Sequence, residues 1–400
     1  FRASSEADGI AEVTDLTETV SLVLPNAFAG SEPADTLLFP FAELRKLTRQ
    51  MTNGDSIDLQ KTSAADTVRV TSRIKGVTVH RDVESLSAEL FPETFRDIAV
   101  TRADAGAFLA ALRLVSASSS TDQTRYVLNG VLYHAAEHRL AATDGRRLSI
   151  VPMPDMPFEG DLVFPPSKLL KSSVLKGDNG TLGVQADDNG VPHAAVGIGP
   201  WRYQVKCIEG TYPDYAQVIP DENRPVAGKI TFAKSDIPLI RTAVSQLTDE
   251  VHPEIIIYAD ADRVLLLTRS TASSDEAPPH AVLPASSCDS DRPLARMVNA
   301  EYLLDALAAG FTSAQIPCDF SPWRINGPGD DLHVLMPIHL NEEDQERIIQ
   351  SVTTHLPFTP SPEAEVKAEV KAEVIDSAPV TDVTPPADAP CSQRPTGRDL

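Results

Sequence analysis

Apolar residues along the chain recur with two periods, and the alternation of those periods marks out a unit that repeats. From Phe41 to Met51 the apolar positions Phe41, Leu44, Leu47 and Met51 fall on one face of a helix opened by Phe39-Pro40. The same spacing predicts a helix over residues 166–175, opened by Phe164-Pro165 and closed by Gly177. A third is predicted over residues 300–309, opened by Val298-Asn299 and followed by Gly310. Their openings at 39, 164 and 298 lie 125 and 134 positions apart, a domain-sized interval. Two further helices are predicted: residues 104–115, with Phe108, Leu109, Leu112 and Val115 apolar, and residues 235–247, with Ser235 as N-cap. Between helices the chain alternates as half-buried strands do, over 67–71, 254–258 and 263–267.

Other landmarks keep the same phase. Glu12-Val-Thr-Asp-Leu16 echoes Ala141-Ala-Thr-Asp-Gly145 at an offset of 129, and Leu90-Phe-Pro-Glu93 echoes Thr211-Tyr-Pro-Asp214 at 121. Three units follow: 1–98, 99–222 and 223–340, each complete one an α+β arrangement of two helices on antiparallel strands. The first lacks an opening helix and is roughly 30 residues short at its front beside the second. Beyond Leu340 the composition changes, and the Glu-Val-Lys-Ala repeats near 365–374 with the Pro-rich end predict a disordered acidic tail over 341–400.

Composition narrows the function. Four hundred residues exceed what one core serves. No apolar run approaches the ~20 residues of a membrane helix, and no signal segment opens the chain, which points to a cytoplasmic protein without a membrane partner. Cys207, Cys288, Cys318 and Cys391 are scattered, as suits reduced thiols rather than a disulfide framework or zinc ribbon. The net charge is −22, of which residues 341–400 carry −7, so wrapping around nucleic acid through a basic surface is disfavoured. Any contact with DNA has to be local.

Enzyme signatures are few. His134-Ala-Ala-Glu-His138 matches the H-x-x-E-H pattern of some zinc proteases, which needs both imidazoles on one helical face. Residues 131–142 read instead as strand, turn, strand, so the rings need not converge. No G-x-S-x-G elbow, phosphate loop or dinucleotide fingerprint is present, and Asp144 reads as a polar turn residue. Neither a cofactor, a metal nor a catalytic residue is expected.

Four motifs then stand in order: Arg125-Tyr-Val-Leu-Asn-Gly-Val-Leu132, Ala141-Ala-Thr-Asp-Gly-Arg-Arg-Leu148, Tyr212-Pro-Asp-Tyr-Ala-Gln-Val-Ile-Pro220 and Val334-Leu-Met-Pro-Ile-His-Leu340. Together they resemble the bacterial sliding clamp family, the beta subunit of DNA polymerase III, over residues 1–340. The resemblance implies a DNA-clamp fold of three repeated domains and a homodimer closed head to tail into a ring. It implies a processivity factor in the nucleoid that does no chemistry, encircles double-stranded DNA, and tethers polymerase, clamp loader and repair proteins through short linear peptides. Topology then replaces a basic exterior: Arg45, Lys46, Arg49, Arg113, Lys168, Lys171 and Arg241 on the predicted helices would face DNA, with Arg125 and Tyr126 on a neighbouring loop. Across the ring joint, Arg69, Arg73 and Lys75 would oppose Asp275 and Glu276, with Leu247 packed beside them.

The resemblance also implies a peptide groove between the second and third domains. Leu128, Thr143, Gly145, Arg146, Arg147 and Leu148 would form one side, continued by Pro213 and Val218. Asn299, Tyr302, Phe320 and Pro322 would close the other, with the terminal run Val334, Leu335, Met336, Pro337, Ile338, His339 and Leu340. Leu128, Leu148, Val218, Val334 and Met336 would make an apolar pocket for a partner's Leu or Phe, and Arg147 and Asn299 would bond its backbone or its Gln. The chain departs from the family at Gln217 and His339, where Arg is frequent, at His252, where Phe is, and in continuing 60 residues past Leu340. A second reading is a clamp-like accessory or decoy protein that binds such peptides without encircling DNA.

Overall fold

Val68 and Val70, two positions apart, leave the strand Thr67–Ile74 on the same side and bury with Val83 and Leu37 into a small core. That strand lies between Ser56–Lys61 and Val77–Glu84 in an antiparallel three-stranded sheet. The structure is a computed structural model and describes residues 2–3, 8–25, 27, 36–38, 40–63, 66–91, 98–167, 169, 175, 177–270 and 278–356. Backbone contacts divide it into two units, residues 1–142 with 152–212 and residues 143–151 with 213–400.

In the first unit, helix α1 (Phe41–Thr48) lays Leu47 on the small core, but Phe41 remains 56% exposed, so the predicted stripe is only partly buried. A seven-stranded antiparallel sheet runs in the order Arg2–Ala3, Gly9–Thr14, Glu18–Leu24, Trp201–Lys206, Pro192–Ile198, Gly180–Ala186, Thr101–Ala103. Helix α2 (Ala105–Ser116) starts where Asp104 Oδ1 accepts from Ala107 N at 2.8 Å. It buries Phe108, Leu109, Leu112 and Val115, and the Phe108 ring meets Phe158 and Phe164 edge-on at 5.7 and 5.3 Å. Phe164 ends the strand Leu162–Phe164, which pairs with Val131–His134, itself paired with Arg139–Thr143. Of the helix predicted over 166–175, residues 168 and 170–174, and with them Lys168 and Lys171, lie outside the described residues.

The second unit holds six strands of one antiparallel sheet, in the order Arg147–Pro152, Leu332–Leu335, Trp323–Asn326, Ser313–Pro317, Val226–Thr231, Ser287–Asp289. A four-stranded sheet runs His280–Leu283, Val264–Thr268, Glu254–Ala259, Leu294–Asn299. Helix α3 (Ile237–Leu247) packs on the strands at 264–268 and 280–283, and helix α4 (Ala300–Ala308) on 294–299. Ser235 does not cap α3. It lies in a 3-10 turn ahead of the helix, whose first turn is preset by Pro238, while Asp236 Oδ2 accepts from Ala285 N, Ser286 N and Ser286 Oγ at 2.7–3.0 Å.

Part of the expected tail is ordered. Helix α5 (Glu342–His355) opens with Asn341 Oδ1 accepting from Asp344 N at 2.7 Å and carries three acids in its first turn. Ile348 and Val352 are fully buried against Ile256, Tyr258, Leu265, Leu267, Ala295 and Met297, with Ile349 and Leu356 beside them. The spacing 348, 349, 352, 356 is an apolar helical stripe that the change of composition after Leu340 obscured. The rest of the expected tail, from residue 357 on, is outside the described residues.

One arrangement recurs. Three-stranded antiparallel meanders begin at Ser56, Gly180 and Ser313, 124 and 133 positions apart, and α1 and α4 directly precede the first and the third. Among the described residues no helix is long and apolar enough to cross a membrane.

Candidate functional site

The second unit holds a densely bonded group of polar residues at one turn. Thr143 Oγ1 donates to the Arg147 carbonyl at 2.6 Å and accepts from Gly145 N at 3.0 Å, while Asp144 Oδ1 accepts from Arg146 N and Arg147 N at 2.8 and 3.0 Å. Gly145 sits at φ +88°, where a side chain is disfavoured. The turn delivers Arg147 into the sheet, where Arg147 to Ile150 pair with Leu335 to Leu332. Met336 N then donates to the Arg146 carbonyl at 2.9 Å, so the Thr-Asp-Gly turn and the Met-Pro segment lie side by side.

Arg147 is held from three directions. Its Nε donates to Asp144 Oδ2 at 3.1 Å, its Nη1 to Asp305 Oδ2 at 2.6 Å, and its guanidinium lies 4.2 Å from the centre of the Tyr302 ring. Its side chain is 10% exposed, against 48% for Asp305. Burial pushes the Tyr302 hydroxyl above its usual range, with the Asp144 charge adding to the shift. Behind this layer the buried His333 Nδ1 meets Ser149 Oγ at 2.9 Å, and its ring lies 5.3 Å from Phe311. Burial, with Arg147 adding to it, lowers the His333 imidazole to about 3, so it is neutral.

The sequence expectations divide here. Thr143, Gly145, Arg146, Arg147, Tyr302 and Met336 are brought together; Leu148, Val334, Leu335 and Leu340 are instead buried core. Of the expected pocket, Leu148 and Val334 stand opposite one another in the strand pairing and are buried, while Met336 and Val218, 45% and 53% exposed, remain open in this unit. Leu128 lies in the first unit. Asn299 Oδ1 is taken by a helix cap, accepting from Tyr302 N at 3.1 Å. Val218 ends a 3-10 turn that follows Pro213, with Asp214 Oδ1 accepting from Ala216 N at 3.1 Å. Phe320, next to Pro322 but one, stacks on His339 at 4.3 Å and 17°, and Ile338 N donates to Met297 O at 2.8 Å, while Pro337 is buried. Near His339 a cavity of about 610 Å³ is also lined by His252, Glu254 and Arg269. Asp305 was missed, although Asn299, Tyr302 and Asp305 stand three apart along one side of a helix.

The remaining candidates are dispersed. Arg45, Lys46, Arg49, Arg125, Tyr126 and Arg241 are exposed, Lys46 paired with Glu43 at 2.7 Å. Arg113 is not: its Nη2 donates to the Leu175 carbonyl at 2.6 Å, which anchors it inside the first unit. Arg69 makes two bonds to Asp82, at 2.8 and 2.9 Å, and Arg73 one to Asp58 at 2.7 Å, so two of the three bases expected at a joint have partners on their own sheet. Lys75 is in a tight turn at φ +49° and Leu247 ends α3, while Asp275 and Glu276 lie outside the described residues. His134 faces Glu137 at 4.0 Å and His138 faces Asp155 at 3.6 Å, so the two imidazoles address different carboxylates. Among the described residues no cluster of three or more His, Cys, Asp or Glu could hold a metal. The turn and its surroundings bring together backbone-anchored arginines, an aromatic ring and an exposed, flexible thioether.

No family model matches the chain. It is 26% identical over 343 residues to the beta sliding clamp of Synechococcus elongatus, covering 80% of this chain and 86% of that protein. It is 24% identical over 357 residues to that of Caulobacter vibrioides, covering 84% and 91%. Over 116 residues, 27% of this chain and 31% of the relative, it is 31% identical to the beta sliding clamp of Escherichia coli. Its fold is that of solved clamps: the DNA polymerase III subunit beta of Bartonella birtlesii, bound to griselimycin, superposes with a TM-score of 0.68 at 21% identity, covering 84% of this chain and 90% of the other. The Pseudomonas aeruginosa clamp gives 0.67 at 18%, with the same coverage.

Proposed function

Starting from a chain that is a divergent relative of the bacterial beta sliding clamps, we propose that it is a processivity factor of DNA replication: a ring of two copies that encircles duplex DNA and docks partner peptides. The observation that carries this reading is the apposition of the Thr143–Arg147 turn with the 332–338 segment, nearly two hundred residues later, beside Tyr302 on α4. A docked peptide there meets Met336 as an adaptable and Val218 as a stiff apolar contact, with Arg146 and Arg147 as donors.

The body of the reading follows from the repeat. Three modules, 1–98, 99–222 and 223–340, supply the arc of one subunit, and the recurrent meanders at 56, 180 and 313 support that division. The exposed Arg45, Lys46, Arg49, Arg125, Tyr126 and Arg241 are the proposed DNA-facing set, and the edge strand Val77–Glu84 with its exposed Val77 and Val79 is the proposed joint on the first module. An acidic exterior is compatible with DNA inside a ring, since topology rather than phosphate affinity retains the duplex. The role requires no chemical step.

The test is retention on DNA. Loaded by a clamp loader onto nicked circular plasmid, the full chain is expected to co-elute with the circle and to be released when the plasmid is cut once. Sedimentation is expected to give about twice the 43.1 kDa of one chain. A stable monomer that binds peptides but is never retained on circles points to the accessory or decoy reading; neither peptide binding nor retention removes both.

A further inference from the structure

We infer that Asp305 is a specificity-determining residue of the docking site: by neutralising and orienting Arg147 together with Asp144, it makes the site accept neutral carbonyl groups and reject carboxylates. This rests on the peptide-docking reading above. An arginine at a recognition site ordinarily draws carboxylates, which match its fork in shape and charge. Here that charge is already answered twice, by Asp144 Oδ2 on Nε and by Asp305 Oδ2 on Nη1. The guanidinium plane is fixed against the Tyr302 ring at 4.2 Å, and the N–H pair of Nη2 stays outside both of those bonds. On this reading the small exposed part of the Arg147 side chain, 10% of it, offers a ligand an oriented donor flanked by two carboxylates.

A ligand carboxylate brought there gains one hydrogen bond, loses its hydration and faces like charge from both aspartates. An amide or backbone carbonyl gains the same hydrogen bond with neither cost. Discrimination of this kind is set by the repulsive element as much as by the attractive one. Asp144 cannot be altered cleanly, because its Oδ1 also holds the backbone of the turn. Asp305 is half exposed on α4, and among the described residues its side chain bonds Arg147.

The experiment uses the full chain and an array of octapeptides with fixed leucine and phenylalanine anchors, in which each other position carries glutamine or glutamate in turn. For the wild type, at least one position is expected to favour glutamine by about tenfold or more in Kd, about the size of effect that a charged pair near the surface produces. In Asp305→Asn that preference is expected to fall to about threefold or to reverse, with the glutamine peptide bound within about threefold of wild type, while Asp305→Glu restores it. Equal weakening of both peptides in Asp305→Asn, or a wild type indifferent to the exchange at every position, overturns the inference and leaves the docking site standing. If no octapeptide binds the wild type at all, the docking site and the inference fall together.

Discussion

Arg263 Nη1 donates to the carbonyl oxygen of Leu356 across 2.5 Å, so the residue just before the strand Val264–Thr268 closes the last turn of α5. The same side chain reaches Asp260 through Nε at 3.2 Å and lies 5.6 Å from the Tyr258 ring, and is largely buried. A cation at a helix C-terminus satisfies an otherwise orphaned carbonyl and opposes the negative end of the dipole. At the other end Arg296 Nη1 donates to Gln345 Oε1 at 2.5 Å, and Gln345 Nε2 donates to the Leu340 carbonyl at 2.8 Å. The helix is tied to the sheet at both ends as well as along its apolar stripe.

Arg263→Gln is therefore expected to destabilise the second unit by about 1–2 kcal/mol and to speed amide exchange in α5 before the rest of the unit. Ile348→Ala, at a fully buried position, is expected to cost about 2–5 kcal/mol in urea unfolding. Ending the chain at Leu340 strips the outer sheet face of its cover and should give a soluble yield far below wild type. Wild-type behaviour of that truncation would show that α5 is not part of the folded unit.

Acid should act on the second unit through His333. Its imidazole, lowered to about 3 by burial, is neutral in the folded chain and ordinary, near 6.5, once unfolded. Between those values the unfolded chain binds the extra proton, so this residue's contribution is complete above about pH 6.5 and drains away as pH falls toward 3. Carboxylates titrate in the same window, so the comparison needed is wild type against Ser149→Ala/His333→Leu, which removes both ends of the 2.9 Å bond. The expected result is a variant whose unfolding free energy changes less between pH 4 and pH 6.5 than that of wild type, by on the order of a few kcal/mol. Parallel pH curves would show that the imidazole is not what acid attacks.

Much of this fold is legible in the chain because local signals agree with each other. The stripe at 108, 109, 112 and 115 became α2, with Asp104 as its cap rather than its first residue, and Asn299 at a helix opening became the cap of α4. The strands of the four-stranded sheet were misread for a physical reason. Ile255 to Tyr258 and Val264 to Leu267 are unbroken apolar runs, the mark of strands covered on both faces, yet they pass easily for half-buried alternation. Their second cover is α5, whose own stripe begins just where acidic composition suggests a tail. Motif spacing likewise located Arg147 and Met336 but not which of their neighbours stay exposed: the strands that carry Leu148 and Val334 are covered on both faces, which the motif does not announce. Asp305 went unnoticed because a lone carboxylate on a helix is ordinarily a solvated one.

Contact with DNA, on the ring reading, should depend on charge without depending on sequence. Arg45 and Arg49 are exposed on and just after α1, and Arg241 on α3. Arg45→Glu/Arg49→Glu/Arg241→Glu is expected to leave the complex on nicked circles in place at low salt. Its salt dependence of binding to linear duplex should flatten by roughly 0.9 in log–log slope for each phosphate contact removed. Fluorescence anisotropy across a salt series measures this; an unchanged slope would take these arginines off the DNA-facing surface.

The turn at Gly145 offers the sharpest separation of site from scaffold. At φ +88° it occupies the left-handed side of backbone space, and the Thr143 and Asp144 side chains are bonded to the backbone on either side of it. An L side chain there costs about 1–2 kcal/mol, and the turn relieves it most readily by moving Arg146 and Arg147. Those two residues carry the carbonyl that receives Met336 N and the guanidinium that rests on Tyr302. Gly145→Ala is thus expected to weaken binding of a labelled anchor peptide by about tenfold while lowering the unfolding midpoint by only a few degrees. Gly145→Asn, which tolerates left-handed backbone, should retain most of the affinity although it is the larger residue. If alanine and asparagine weaken the peptide equally, bulk at the site rather than backbone conformation is responsible, and the turn has no part in orienting Arg147.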